Sequence, residues 1–450
     1  MTRFLTACLF ILLSLTASFA QTRSPFPTNT RVIVVGDSRS ENGKQIDASN
    51  VSAVARGILP WAKYRTYQRF DHDIGDIYAT TGFTTQQIIN TWLTPAVASP
   101  AGLAVVLAST NDRTALLPAE TSIANLTTIR DALLASGKIV VFICETPRGG
   151  AFVLASPQIQ YMQRVRQWCL QQTTTPRVYV VDPWPVLADP ASATGANLST
   201  YFADDLHPNQ YGAYYGYTGL VTLFNYLYPP RNILPATNSD VYDATNNPGG
   251  VLSANPMTQG TGGTVTAPGA GTMTGTAANS HTATLTNGTG LTVTLDSVTT
   301  AGKTWQRIVV SGTPTSAGAN VTFTLPSVAA SNFTIGDTID SFVEVEMDAN
   351  QTGMNRYTMT ISDNGAAGGA KSRRDLERVS TTDIMPTDAL AGVMRGSAFA
   401  ITGSGSVVPS VTFGFIQNVA VSATIRFRCL GIRKVISAND NWLTTMSNVA

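Results

Sequence analysis

Between Arg31 and about Tyr228, short apolar runs alternate with stretches of helical period. The runs are VIVVG (32–36), IYAT (77–80), LAVVLAS (103–109), IVVFIC (139–144) and VYVVD (178–182). Each is too continuous for a half-solvated strand and too short for a helix, so they predict five strands buried on both faces. Helical period falls between or after them, in SIANLTTIRDALLAS (122–136), IQYMQRVRQWCLQQ (159–172) and YGAYYGYTGLVTLFNYL (211–227). Strands joined by helical crossovers predict a parallel sheet sandwiched between helices, an α/β architecture. Its site is expected beyond the carboxyl ends of the strands, at a topological switch point.

The pattern changes after Pro229-Pro230. From about Asn238 to Thr300 the chain is Gly, Thr, Ala, Asn and Ser with almost no charge, which predicts a flexible connector or loop-rich entry over 231–270. Beyond it come TATLT, LTVTLDSV, WQRIVVSG, NVTFTLP, FVEVEM, RYTMTIS, FAITGS, VTFGF and ATIRFRCLGI. In FVEVEM, Val343, Val345 and Met347 share one face while Glu344 and Glu346 share the other, the period of a half-solvated antiparallel strand. Asn287-Gly288 and Asp363-Asn364-Gly365 supply turns. These runs predict an all-β, jelly-roll-like sandwich over 271–450, folding independently. Trp305 and Tyr357 are its candidate sugar platforms, each equally suited to a core.

The N-terminus, MTRFLTACLFILLSLTASFAQTRS, has one Arg, an apolar core and small residues ending at Ala20. It predicts a signal peptide over 1–20 and a mature chain starting at 21, secreted or periplasmic. The apolar core follows Cys8, whereas a lipoprotein needs it before the cysteine. Cys144, Cys169 and Cys429 remain, an odd number for an oxidising compartment. A Cys144–Cys169 disulfide and a pair of buried thiols both fit the pattern. No spacing resembles a zinc site, and no cofactor or metal is expected. With 13% charged residues and a net charge of +1 over 450 residues, neither a nucleic-acid nor an anionic-membrane surface is expected.

The chemistry begins in RVIVVGDSRSENG (31–43), where Gly36-Asp37-Ser38 interrupts a buried strand and delivers a serine at its end. A nucleophilic serine needs a base, and the chain has three histidines. His281 stands in the charge-poor Thr-rich region and reads as a solvated residue. His72, in FDHDIGD, lies between two aspartates away from any strand end and reads as a surface or structural residue. His207, in YFADDLHPNQYGAYYGY, follows the last strand and precedes the last helix. Asp204 stands three residues before it, where one turn brings a carboxylate to the imidazole. Asp204 and Asp205 also suit the start of a helix. Gly82, after the second strand, and Asn111, after the third, are candidate oxyanion donors through a backbone N–H and a side-chain amide.

With these residues placed, the chain resembles the SGNH, or GDSL-type, hydrolase family from Arg31 to about Tyr228. GDS (36–38), Gly82, STND (109–112) and DDLHPN (204–209) stand in the order of the family's first, second, third and fifth blocks. The resemblance implies a flavodoxin-like hydrolase domain over 21–230, with Ser38 as nucleophile, His207 as base and Asp204 as its orienting acid. It also implies an oxyanion hole from the Ser38 and Gly82 N–H groups and the Asn111 amide. One departure stands out: Ser109 occupies a position that is usually glycine. The family's ester substrates, with export and an appended sandwich, point to a short-chain acyl ester on an O-acylated glycan. The competing class is a binding or structural surface protein, virion-tail-like, whose sandwich carries the function.

Overall fold

The computed structural model describes residues 25–435 apart from 270, 367 and 368. The expected signal peptide lies outside the described residues. Five of the strands, β1 (Val32–Gly36), β4 (Ile77–Ala79), β5 (Leu103–Leu107), β6 (Ile139–Ile143) and β7 (Val178–Val181), form one parallel sheet in the order β4-β1-β5-β6-β7. Because alternate residues point to opposite faces, one apolar run fills two cores. Ile33, Val35, Val106 and Val140 pack against the helices Ala119–Ala135 and Gln158–Gln171. Val32, Val34, Val105 and Val141 face the other way, toward the helix Thr218–Leu227. The three-layer α/β/α domain read from the sequence is present.

The register at the carboxyl edge matters for the site. Gly36 lies opposite Ala79 of β4 on one side and Leu107 of β5 on the other. A Cβ at Gly36 would stand 2.0 Å from the Leu107 carbonyl oxygen and 2.2 Å from Ser40 Oγ. Only glycine permits that approach, and three strand ends are thereby brought side by side.

Two short strands, β2 (Lys44–Ile46) and β3 (Asn50–Val54), leave the first sheet altogether. Among the described residues, twelve strands follow: β8 (Thr264–Thr266), β9 (Thr272–Gly275), β10 (Thr282–Thr286), β11 (Leu291–Thr300), β12 (Lys303–Gly312), β13 (Asn320–Thr324), β14 (Thr338–Met347), β15 (Met354–Asp363), β16 (Lys371–Glu377), β17 (Leu390–Ala400), β18 (Val407–Phe415) and β19 (Val421–Val435). They make an eight-stranded sheet, β2-β3-β16-β15-β18-β13-β10-β8, and a six-stranded sheet, β17-β14-β19-β12-β11-β9. Phe323 of the first stacks edge-on to Phe427 of the second with ring centroids 4.7 Å apart, so the two sheets close on a common core in a sandwich-like arrangement.

Several expectations for this half need correction. The hairpin β2–β3 pairs antiparallel within itself and parallel to β16, with Asn50 opposite Ser372, so the sandwich borrows strands from inside the hydrolase segment. Tyr64 Oη donates to the Val345 carbonyl at 2.8 Å, Gln68 donates to the Val393 carbonyl, and Arg395 bridges Asp71 at 2.6 Å and Asp340 at 2.8 Å. A boundary at 230 therefore marks a change of composition rather than a break between separable bodies. The 231–270 segment is laid against the last strand: the Leu252 amide donates to the Ile432 carbonyl at 2.8 Å and Arg433 donates to the Ile233 carbonyl at 2.9 Å.

Trp305 and Tyr357 are 2% and 1% exposed, which removes both as sugar platforms. His281 is buried against Phe427 rather than solvated. Glu344 is buried too, because β14 is an interior strand and Lys303 and Arg428 cover its carboxylate. Cys144, Cys169 and Cys429 are free, buried thiols, with Cys144 and Cys169 in the same core.

Candidate active site

Ser38 opens the four-residue helical turn Ser38–Glu41 directly after β1. Asp37 caps it, its carboxylate accepting the Arg39 amide at 3.1 Å, as an N-cap aspartate does. Ser40 Oγ donates to the Leu107 carbonyl at 3.0 Å, which fixes the turn on the end of β5. The serine between these anchors is 4% exposed.

His207 reaches the same point from a loop after β7. Its Nε2 lies 2.9 Å from Ser38 Oγ, and its Nδ1 lies 2.7 Å and 3.0 Å from the two oxygens of Asp204. Asp204 Oδ1 also accepts the backbone amides of Leu206 at 3.2 Å and His207 at 2.8 Å, so the carboxylate organises the loop that carries its own partner. Asp205, by contrast, adopts a left-handed φ of 63°, and its carbonyl accepts the Gly149 amide at 2.8 Å and Asn197 Nδ2 at 2.9 Å. After His207, Asn209 caps the helix Gln210–Gly216 by accepting the Gly212 amide at 2.8 Å. The structure thus brings Ser38, His207 and Asp204 together and leaves His72 and His281 outside: His72 Nδ1 bonds the Val32 carbonyl at 3.0 Å and His281 Nδ1 the Asn279 carbonyl at 3.0 Å.

Electrostatics suit the pair to proton transfer. Burial pulls the His207 imidazole below its ordinary value; Asp204 works in the other direction, and Arg39 and Arg56 add to the depression. A resting neutral imidazole can accept a proton. Burial opposes ionisation of Asp204, but its bonds from the His207 ring and amide hold its carboxyl below the usual carboxylate range. It stays charged beside the imidazole.

Gly82 follows β4 and Asn111 lies in the first turn of the helix Thr110–Thr114 after β5, each at the strand end beside that of Ser38. Gly82 has a φ of 82°, and a Cβ there would meet nothing within 4 Å, so the glycine serves the backbone turn and leaves the surface open. Asn111 Nδ2 donates to the Phe83 carbonyl at 3.0 Å, which ties it to the Gly82 turn and uses one of its two amide hydrogens. Ser109, the departure from glycine, has a φ of 96°. That left-handed backbone is why glycine suits the position. The hydroxyl gives something in exchange, donating to Glu145 Oε2 at 2.8 Å.

Residues 34–214 match the family of GDSL-like lipases and acylhydrolases. The first domain is a GDSL-like lipase/acylhydrolase domain. That match supports a lipolytic or acyl ester hydrolase activity for the domain. A GDSL-like lipase from Bacteroides thetaiotaomicron is similar at 14% identity, covering 43% of this chain and 86% of its own, with a TM-score of 0.33. The lipase/acylhydrolase from Enterococcus faecalis is similar at 16% identity, covering 45% and 98%, with a TM-score of 0.35. Curated protein sequences yield no match to the chain.

Beneath the GDSL serine lies a buried polar group that sequence reading missed. Arg39, Glu145 and Arg148 are 1%, 2% and 4% exposed. Arg148 donates to the Thr110 carbonyl at 3.3 Å and to Thr114 Oγ1 at 3.0 Å. Trp184 Nε1 donates to the Glu145 carbonyl. The available signal was Arg39 itself, a long charged residue written directly after the serine in a turn too tight to send every side chain outward.

Proposed function

We propose that the protein is an exported serine esterase that removes short acyl groups, acetyl foremost, from a carbohydrate polymer. The observation that carries the reading is the continuous chain from Ser38 Oγ to His207 at 2.9 Å and on to Asp204 at 2.7 Å. In the first half-reaction His207 Nε2 takes the Ser38 proton as Oγ attacks the ester carbonyl. The Ser38 and Gly82 N–H groups and the free hydrogen of the Asn111 amide meet the developing oxyanion. Collapse expels the alcohol, which receives the proton from His207 and leaves an acyl group on Ser38. Water, deprotonated by His207, then releases the acid and restores the serine.

The glycan part of the reading draws support from the way the sandwich is joined to the hydrolase domain and from a polar cavity of about 510 Å³ on it. Asn232, Asn238, Gln259, Lys303 and Arg428 line that cavity, a set of donors and acceptors suited to hydroxyl-rich ligands. The test compares p-nitrophenyl acetate hydrolysis by the full chain and by Ser38→Ala. Activity confined to the unsubstituted protein is expected. Equal, negligible rates would instead favour a binding protein. Release of acetate from acetylated xylan or pectin, against deacetylated controls, tests the substrate class.

A further inference from the structure

An arginine beside a strand-end serine would ordinarily extend into solvent. Arg39 does the opposite and is buried under the site. Its Nε donates to the carbonyl oxygen of Leu206 at 3.2 Å, across 167 residues of sequence. Leu206 immediately precedes His207, and its own amide donates to Asp204 Oδ1. The peptide carrying the base is therefore gripped on its amide by the orienting carboxylate and on its carbonyl by the residue next to the nucleophile.

The remaining guanidinium nitrogens, Nη1 and Nη2, make no hydrogen bond within the protein. Glu145 supplies the charge that a buried cation needs, and Asp37 adds to it only where it is ionised. Burial works against the Arg39 charge first; of the carboxylates that oppose it Glu145 is the strongest, Asp37 the next and Asp204 the weakest. Arg148 faces the group with like charge. Glu145 is held in turn by the Ser109 hydroxyl, and its other oxygen, Oε1, is buried without a hydrogen-bond partner. Asp37, fully buried, has its carboxyl pushed up to about 7 by that burial, with Arg39 pulling the other way. Charged groups facing His207 are Asp204, Arg39 and Arg56.

We propose that Arg39 is a positioning residue of the hydrolase, tying the loop of His207 to the turn of Ser38 and setting, with Glu145 as counter-charge, the field in which His207 exchanges its proton. The assignment rests on the Ser38–His207 reading above. Its two contributions are separable. The Nε bond fixes where the imidazole stands, and the charge governs how readily it is protonated.

The experiment uses the full chain and p-nitrophenyl acetate, with kcat and KM measured across pH for Arg39→Lys, Arg39→Met and Glu145→Gln, each checked by circular dichroism. Arg39→Lys keeps the charge and loses the planar Nε donor. Its kcat falls roughly 10–100-fold with KM little changed, the scale of a displaced catalytic group, and the acid limb of kcat/KM stays in place. Arg39→Met lowers kcat similarly and also moves that limb upward by about half a pH unit, because a cation that opposed protonation is gone. Glu145→Gln moves it downward, since the arginine is then less well balanced. A structural role alone would not shift the limb in opposite directions. The proposal is overturned if both Arg39 variants keep kcat within about two-fold, if KM rises while kcat holds, or if the limb stays put in Arg39→Met and Glu145→Gln alike. Should Arg39→Met fail to fold, the Lys and Gln variants decide. Ser38→Ala is run alongside: activity surviving there rejects the site reading and the proposal with it, whereas an inactive Ser38→Ala beside unaltered Arg39 variants rejects the proposal alone.

Discussion

Asparagine at position 204 separates geometry from charge in the site. Asp204 spends Oδ1 on two backbone amides, at 2.8 Å and 3.2 Å, and presents Oδ2 to His207 Nδ1 at 2.7 Å. In Asp204→Asn the amide oxygen keeps the backbone bonds, because only an acceptor fits there, and the NH₂ group then replaces Oδ2. A donor now stands at the shorter contact to Nδ1, leaving only the oxygen at 3.0 Å to accept the Nδ1 proton, and this favours the tautomer with the proton on Nε2, opposite Ser38 Oγ. In that tautomer the imidazole cannot take the serine proton. The stabilising charge beside the imidazolium is lost as well. Together these effects lower kcat by roughly 10²–10⁴-fold, about 3–5 kcal/mol of transition-state stabilisation, with KM and melting temperature little altered.

Asp205→Asn is the matched control. Its backbone needs a left-handed φ, which asparagine tolerates well, and its contribution to the loop runs through the carbonyl rather than the side chain. Activity within about three-fold of the unsubstituted protein is expected. Steady-state kinetics on p-nitrophenyl acetate decide the matter. A large loss at Asp205 with none at Asp204 would refute the assignment of the orienting acid. A small loss at Asp204 alone would reduce the unit to Ser38 and His207.

The depressed proton affinity of His207, caused first by burial, places the acid limb of kcat/KM below the ordinary histidine value of 6.5; a limb above pH 7 would contradict it. The same depression means the unfolded chain takes up the proton first, so this group's contribution to stability is present above pH 6.5 and is lost as pH falls below it, which melts at pH 5 and 7 will register. A chain ending near residue 230 loses the partners of β3, Tyr64 and Gln68, so it is expected to be insoluble or to melt well below the full chain, and an equally stable fragment would refute the shared-sheet account.

What the sequence disclosed followed from burial on both sides. The runs that became β1, β5 and β6 are uninterrupted because each residue meets one core or the other, and continuous runs are hard to mistake for loops. The placement of Ser38, Gly82, Asn111 and His207 was legible for a related reason: each interrupts or follows a run at the carboxyl edge of the parallel sheet. Hidden elements were those whose partners lie far along the chain. KQI and NVSAV are too short to signal a strand alone, and the pairing of Asn50 with Ser372 is a tertiary fact. Likewise β16 is written KSRRDLE, which reads as a solvated charge run until Glu377 is seen between Arg356 and Arg374. Trp305, Tyr357 and His281 carry chemistry compatible with either surface or interior, and only packing distinguishes the two.

That packing changes what the sandwich can do. A domain hung on a free linker raises the local concentration of its ligand near an active site but leaves orientation open. Here the chain runs from the turn of Ser38 into β2–β3, which are strands of the sandwich, and returns through the Ala55 amide bonded to the Glu377 carbonyl at 2.8 Å. On the other side of the site, Gln210 Nε2 donates to the Asn355 carbonyl at 3.1 Å, three residues after His207. Ser38 and His207 are therefore each joined to the sandwich within a few residues, one by a shared sheet and one by a buried side-chain bond. Asp204, exposed at the rim, keeps its position through the loop it organises itself.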